Sequence, residues 1–144
     1  MFSDNLKKKH GDRIQIDGAY QYNAFYHGNP IQRFWHWAKY TQAIKLLSLT
    51  QKSTVVDVGC GSGVLSELLA GKEPTAKIIG VDCNSDAIRF CKKKYRLQNL
   101  KFKESLVEVL PFRSNSIDGI VFLEVIEHIY PKQAEQVLKQ FHKI

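Results

Sequence analysis

A short β-branched run that leads directly into three closely spaced glycines constrains this chain more than any other feature. The run Thr54–Val58 suits a buried strand, residues 59–63 form a glycine-rich loop, and residues 64–70 predict a helix that Gly71 ends. Glycines permit backbone angles that other residues avoid, and the start of a helix offers free N–H groups and a positive dipole end. A strand, a glycine turn and a helix in this order are typical of a site for a nucleotide-type cofactor.

The same alternation of strands and helices continues along the chain. A helix is predicted over residues 31–49, where apolar residues recur at helical spacing after a start at Asn29 and Pro30. Such alternation indicates an α/β fold whose parallel sheet is covered on both faces. The other predicted elements are strands at residues 77–81, 101–103 and 116–122 and helices at residues 84–95 and 131–143.

The length fits one domain. A chain of 144 residues has no room for two independent cores, and we place the domain at residues 29–144. Residues 1–28 are polar with scattered aromatics, and we interpret them as a mostly irregular lead-in or lid segment. No apolar run approaches the roughly 20 residues of a membrane-spanning helix, and the polar start is not a secretory signal. We therefore expect no membrane contact.

The cysteines favour a reducing compartment. There are three of them, at positions 60, 83 and 91, and an odd number without a CxxC pair argues against a disulfide framework or a cysteine zinc site. Two fall at the ends of predicted buried strands, where cysteine usually acts as a small apolar residue. We therefore expect a cytoplasmic protein.

The positive charge has two interpretations. The net charge is +7, and much of it lies in the lysine runs at residues 7–9 and 92–94. The first interpretation, which we favour, is a solvated tail and a solvated helix face. The second is attraction to RNA or another acidic substrate, although the sequence contains no RNA-binding motif.

The spacing of the glycines distinguishes between cofactors. A dinucleotide fold requires G-x-G-x-x-G, and here Val64 holds the position of the third glycine in that pattern. The actual pattern is G-x-G-x-G, with Asp57 two residues before it. This resembles motif I of the class I S-adenosylmethionine-dependent methyltransferases. The resemblance implies S-adenosylmethionine as the cofactor and S-adenosylhomocysteine as its product.

The resemblance also assigns roles within the loop. It implies that Asp57 helps to hold the methionine end of the cofactor, largely through the ammonium group. The carboxylate of the cofactor can use the helix N-terminus. The loop residues implied to pack against the cofactor are Gly59, Cys60, Gly61, Ser62 and Gly63.

An acid at the end of the second strand supports the same cofactor. Asp82 lies 19 residues after Gly63, at a distance suited to accepting hydrogen bonds from ribose hydroxyls. The family uses an acid there for both hydroxyls, and Cys83 would then lie against the adenine ring. The competing interpretation of Asp82 is a helix cap.

Residues 109–121 resemble a second family motif, the LPF…S-F-D-x-V stretch beside the adenine pocket. Family members commonly carry Asp-Ala before it, where this chain has Leu106 and Val107. Since the acid is missing, either Glu104 or Glu108 replaces it, or backbone groups suffice. The same resemblance assigns Leu123, after the fourth strand, to the cofactor site.

The stretch that follows, E-x-x-E-H, resembles that of the ubiquinone-pathway O-methyltransferases. If it forms one helical turn, Glu124, Glu127 and His128 reach the mouth of the cofactor pocket. His128 is then a candidate general base for a substrate hydroxyl. The alternatives are that the three ligate a divalent metal, as in small-RNA 2′-O-methyltransferases, or that the glutamates line the pocket and His128 is packed. We predict no metal.

The aromatic residues near the predicted helix start allow two interpretations. They form either a lid over the cofactor sulfonium, where cation–π attraction is plausible, or part of the core. We favour the core for Trp37, and we leave both interpretations open for Tyr20 and Tyr26. The full set is Tyr20, Tyr26, Trp35 and Trp37.

The resemblance implies a Rossmann-like, doubly wound parallel sheet that is incomplete. The family has seven strands in the order 3-2-1-4-5-7-6, and this chain supplies four in the order 3-2-1-4, so that strands 5–7 are missing. Strand 4 is then an apolar edge. The chain is accordingly a truncated chain, a processed fragment, or a half that an oligomer or partner chain completes.

These features predict a methyltransferase that acts on an acceptor, most simply a small molecule with a hydroxyl or ring carbon. A non-catalytic or truncated module that binds S-adenosylmethionine is the first alternative. A nicotinamide-dependent enzyme and a metal-assisted RNA 2′-O-methyltransferase are the others.

Overall fold

The computed structural model describes residues 17–144, and the lysine run at residues 7–9 lies outside them. Four parallel strands form one sheet in the order β3-β2-β1-β4, which confirms the predicted order. The strands are β1 at Thr54–Val58, β2 at Lys77–Asp82, β3 at Leu100–Glu104 and β4 at Gly119–Phe122. The helices are α1 at Tyr20–His27, α2 at Pro30–Leu46, α3 at Val64–Lys72, α4 at Ser85–Lys94 and α5 at Pro131–Lys143, with a 3₁₀ turn at Ile126–His128.

Strand β1 lies at the centre of the sheet and is buried on both faces. Val55 packs in one apolar cluster with residues of α3, α4 and β3, whereas Val56 packs in the other with Ile79 and Ile144. Burial of both faces explains why β1 is a continuous apolar run around Asp57. The chain order reverses between β1 and β4, and ligands of doubly wound sheets bind outside the carboxyl ends of the strands at such a point.

The lead-in of residues 1–28 was interpreted as mostly irregular, but in its described part Tyr20–His27 forms helix α1, which the sequence analysis did not predict. Its aromatic residues pack along the helix and onto the domain: the ring of Tyr22 lies 5.4 Å from that of Phe90, and the ring of Phe25 lies 5.6 Å from that of Tyr40. The aromatic spacing at positions 22, 25 and 26 is helical, but polar neighbours obscure it.

The prediction that Trp37 belongs to the core was also wrong. Its side chain is 56% exposed and stacks on Phe34, which is exposed as well. The buried residues of α2 are His36 and Tyr40. The sequence therefore predicted this helix, but not that His36 and Tyr40 are its buried residues.

Several element ends differ from the prediction for local reasons. Helix α3 continues through Gly71 to Lys72, and α2 ends at Leu46 instead of residue 49. Strand β4 begins at Gly119 instead of residue 116, because the backbone N–H groups of Ser116 and Ile117 donate to the carbonyl of Ile144. These two bonds tie the end of α5 to the start of β4.

Within residues 17–144, β4 pairs with β1 and with no other strand. The covering of this edge by a partner chain stays a prediction. In the same range, no helix is both long enough and apolar enough to cross a membrane. All three cysteines are free thiols, and burial raises the pKa of Cys83 to about 11.

Candidate cofactor cavity

A cavity of about 400 Å³ opens at the carboxyl ends of β1, β2 and β4. Its volume falls in the range of small-molecule sites, which is about 300–1,000 Å³. The wall combines the glycine loop, the end of β2, the segment after β3 and the segment after β4. The predicted site residues that line it are Gly59, Gly61, Ser62, Asp82, Cys83, Leu106, Val107, Glu124, Glu127 and His128.

The glycine loop is held against the sheet by its own backbone. The N–H groups of Gly59 and Cys60 donate to the carbonyl of Val81, at 2.8 and 3.0 Å. Gly61 has a φ of +50°, and a Cβ there would overlap the side-chain oxygen of Gln21. The absence of a side chain at Gly61 therefore lets the loop backbone lie close to the cavity.

Asp82 joins the glycine loop to the start of α4. Its carboxylate accepts hydrogen bonds from the backbone N–H groups of Gly61 and Asn84, both at 2.8 Å. The helix cap is Asn84, whose side chain accepts from the N–H groups of Asp86 and Ala87. Burial raises the pKa of Asp82, and hydrogen bonds from the backbone N–H groups of Asn84, Gly61 and Cys83 oppose that rise. A carboxylate has about four acceptor sites, so these donors leave acceptor capacity for a ligand.

Four of the predicted cofactor residues do not line the cavity. One of them is Asp57, which lies beneath the loop. Asp57 is 3% exposed, and its carboxylate accepts from the hydroxyl of Ser66 at 2.6 Å. Asp57 thus supports α3 through Ser66, and its contact with the methionine ammonium group stays a prediction. The other three are Cys60, Gly63 and Leu123, none of which lines the cavity.

The burial of Asp57 predicts a pH dependence of stability. Burial raises the pKa of Asp57 to about 6 from 3.8, against the hydrogen bond from Ser66. The folded chain then binds this proton more tightly than the unfolded chain. We expect the free energy of unfolding to fall by about 3 kcal/mol from this group as the pH rises from about 3 to about 7. Urea unfolding at several pH values measures it.

Two variants test whether Asp57 causes this pH dependence of the free energy of unfolding. Asp57→Asn keeps an oxygen for Ser66 but cannot titrate, and we expect it to lose this slope. Glu135→Gln removes an exposed acid that is paired with Lys139, and we expect it to retain the slope. A slope of equal size in Asp57→Asn and wild type would refute the assignment.

Helix α1 covers the part of the cavity that lies next to the glycine loop. The side-chain oxygen of Gln21 accepts from the N–H of Ser62 at 3.2 Å. Gly18, just before the helix, lies so close to α4 that a Cβ would come within 2.7 Å of the backbone N of Ala87. Both Gln21 and Gly18 line the cavity, as does Tyr20. A segment interpreted from the sequence as a lead-in thus supplies one wall.

The side opposite the loop carries the residues expected at the adenine. Cys83, Leu106 and Val107 line the cavity there. Of the two acids considered as substitutes for the missing aspartate, Glu108 lines the cavity and accepts from the side-chain amide of Gln133 at 2.9 Å. Glu104, which ends β3 in register with Asp82, is not part of the wall.

The three residues of the E-x-x-E-H stretch line the cavity mouth, although only Glu127 and His128 lie in the 3₁₀ turn. Glu124 precedes the turn with a φ of +56° and forms an ion pair with Lys39 of α2. His128 is exposed. In the part of the chain that the structure describes, no three His, Cys, Asp or Glu side chains are grouped to hold a metal ion.

Some residues of the wall were missed from the sequence. His36 lines the cavity and is 6% exposed, although no motif contains it. Its neighbour Trp35, which the sequence offered as either a lid or a core residue, also lines the cavity. His36 and Tyr40 are four residues apart and so share one face of α2, but the apolar pattern of this helix does not include them. Gln21 and Asn84 carried no sequence signal for the cavity.

The fold and the cavity agree with comparisons to known proteins. Residues 55–144, more than half of the chain, match the model of a family described as a methyltransferase domain. The chain belongs to this family. Its sheet order and its similarity to solved methyltransferases identify the fold as that of the class I S-adenosylmethionine-dependent methyltransferases.

Individual methyltransferases match different parts of the chain. A fatty-acid O-methyltransferase of Mycolicibacterium smegmatis is 35% identical over 78 residues, which are 54% of this chain and 28% of the relative. A tRNA N(3)-methylcytidine methyltransferase of Drosophila melanogaster, Mettl2, is 26% identical over 98% of this chain and 48% of the relative. This methyltransferase chain therefore spans less than half the length of both relatives.

A solved structure supports the fold over most of the chain. It is the complex between the Haloferax volcanii Trm112 methyltransferase activator and a putative methyltransferase. The TM-score is 0.73 at 20% identity, with 88% of this chain and 51% of that chain covered. At that identity the similarity establishes the shared fold.

Proposed function

We propose that this chain binds S-adenosylmethionine in the cavity and transfers its methyl group to an acceptor at the cavity mouth. The observation that carries the proposal is the junction between Gly61 and Asp82. A left-handed glycine with no side chain lies beside a partly buried carboxylate that can accept further hydrogen bonds. A ribose with two neighbouring hydroxyls satisfies such a carboxylate, and the glycine allows the cofactor to approach the backbone.

The other walls fit the remaining parts of the cofactor. The start of α3 is suited to the methionine carboxylate through its N–H groups and its positive dipole end. The apolar side chains of Leu106 and Val107 and the thiol of Cys83 suit the faces of a purine ring. Glu108 takes the role of the missing aspartate in this proposal, as an acceptor for the adenine amino group.

The chemistry requires little from the protein beyond positioning. When bound, S-adenosylmethionine supplies an electrophilic methyl group on a sulfonium. The protein then has to hold the acceptor in line with that methyl group, exclude water and remove a proton where the acceptor carries one. Glu124, Glu127 and His128 lie at the cavity mouth and are the side chains that we propose to face the acceptor.

The acceptor that we propose is a small molecule with a hydroxyl or a ring carbon. The fatty-acid O-methyltransferase supports a small acceptor, through its 35% identity. An RNA acceptor is the second candidate, because the tRNA methyltransferase aligns over 98% of this chain, including α1 and α2. Transfer of a labelled methyl group into bulk tRNA tests it directly. We further propose a cytoplasmic protein and, from the Trm112 complex, a partner protein.

Calorimetric titration tests the cofactor assignment. We expect S-adenosylhomocysteine to bind with a dissociation constant in the micromolar range and NAD to show no heat of binding. Binding of NAD without S-adenosylhomocysteine would favour the nicotinamide-dependent alternative. Binding of S-adenosylhomocysteine without any methyl transfer to tRNA or small hydroxyl compounds would favour a non-catalytic module.

A further inference from the structure

A histidine and a tryptophan of α2 line the cavity beside the mouth, and no family motif includes them. His36 is 6% exposed, and its Nδ1 atom is buried without a hydrogen-bond partner among the described residues. Trp35 is 53% exposed, and its ring centroid lies 5.1 Å from that of His36 in an edge-on arrangement. A buried polar atom with no partner is costly, so its presence at a cavity wall needs an explanation.

Burial and a neighbouring ammonium group favour the neutral form of His36. Burial lowers the pKa of His36, and the nearby Lys39 ammonium group lowers it further, whereas Glu124 opposes the change. Tyr40 also faces it, with ring centroids 5.8 Å apart. An imidazole in the neutral form can accept a hydrogen bond or a proton.

Lys39 connects this pair of residues to the predicted acceptor site. Its ammonium group lies 4.1 Å from the ring centroid of Trp35 and forms the ion pair with Glu124. Glu124 in turn lines the cavity mouth next to Glu127. The helix α2 and the segment after β4 thus meet at one place, with His36 and Trp35 on the helix side.

We infer that Trp35 and His36 form an acceptor subsite for a planar ring that carries an O–H or N–H group, with Trp35 contacting the ring and His36 accepting its proton. This inference rests on the proposed function. The new bond from the acceptor atom to the methyl carbon replaces the S–C bond of the sulfonium, whose electron pair remains on sulfur. The proton leaves the acceptor atom for the imidazole of His36, and its bonding pair remains on the acceptor atom.

Three small probes separate the contribution of the aromatic ring to binding from that of the hydroxyl donor. Phenol has both a ring and a hydroxyl, anisole has the ring without a donor, and cyclohexanol has the hydroxyl without an aromatic ring. In NMR titrations of the chain saturated with S-adenosylhomocysteine, we expect phenol to bind about fivefold more tightly than either of the other two. We also expect phenol, but not anisole, to shift the imidazole signals of His36.

Matched variants assign each preference to its residue. His36→Asn should abolish the preference for phenol over anisole, and Trp35→Leu should abolish the preference for phenol over cyclohexanol. His142→Asn and Trp37→Leu change the same residue types outside the cavity, and both should retain both preferences. With His36 absent, we also expect methyl transfer to phenol to fall by about 100-fold or more, as for loss of a general base.

The failure of this inference is distinguishable from failure of the proposed function. If S-adenosylhomocysteine binds but the three probes bind equally, or if the preferences persist in His36→Asn and Trp35→Leu, the subsite is wrong. If S-adenosylhomocysteine does not bind, the cofactor proposal fails first. Should His36→Asn not fold, the shift of the wild-type imidazole signals by phenol decides the question on its own.

Discussion

Asp82→Ala is expected to weaken the binding of S-adenosylhomocysteine by about 100-fold or more. In the proposed complex the carboxylate accepts hydrogen bonds from both ribose hydroxyls, and each bond to a charged group contributes about 1.5–3 kcal/mol. Two such bonds amount to at least about 3 kcal/mol, which corresponds to roughly a hundredfold in the dissociation constant. Calorimetric titration of the wild type and the variant measures the difference.

A second variant separates the ligand role of Asp82 from its role in the loop. Asp82 also accepts from the backbone N–H groups of Gly61 and Asn84, so the alanine variant loses both bonds. Asp82→Asn keeps one acceptor oxygen, and it should fold more stably than Asp82→Ala while still binding S-adenosylhomocysteine at least tenfold more weakly than the wild type. Glu135→Gln, on the exposed face of α5, should bind normally. Binding by Asp82→Ala at wild-type strength would refute the ribose role.

Gly63→Ala is expected to lower the free energy of unfolding by about 3 kcal/mol. Gly63 has a φ of +74°, where an added Cβ costs about 1–2 kcal/mol in backbone strain. The Cβ would also lie 2.8 Å from a ring carbon of Phe102 and 2.9 Å from the sulfur of Cys91, both of which are buried. Overpacking of this kind costs typically 1–3 kcal/mol. The packing around the third glycine of the loop thus requires a glycine whether or not the cofactor contacts it.

Substitution of a second glycine provides a control, because it should change the free energy of unfolding in the opposite direction. Gly71 lies within α3, and an added Cβ there would meet nothing within 4 Å. Gly71→Ala should therefore raise the free energy of unfolding by roughly 0.5–1 kcal/mol, because alanine favours the helix. Denaturant unfolding of both variants measures the two effects. Equal stability of Gly63→Ala and wild type would contradict the packing assigned to the loop.

The sheet was predictable because its signals are local and strong. The runs that became β1 and β2 are β-branched and bounded by turn residues, and the loop at residues 59–63 fixes where the first strand ends. The order of the strands followed from the family resemblance. The start of β4 was not predictable, because it depends on backbone hydrogen bonds to Ile144, which directly follows α5.

The side of the cavity formed by α1 and α2 was not predictable for a different reason. In α2, apolar residues occupy most faces, so the helical period did not identify the buried face, and tertiary contacts selected His36 and Tyr40 over Trp37. The surroundings of Asp57 were not predictable either. The motif identified the residue, but only the structure shows that its carboxylate accepts a hydrogen bond from the hydroxyl of Ser66 in α3.

One measurement tests the central claim most directly, namely the response of the loop amides to the cofactor product. In an NMR titration of ¹⁵N-labelled chain with S-adenosylhomocysteine, the amides of Gly59, Gly61 and Ser62 should shift together with that of Cys83, at micromolar ligand. The amides of α5 beyond Glu135 should stay unchanged. Saturating ligand that leaves the three loop amides where they are would contradict the cofactor site proposed here.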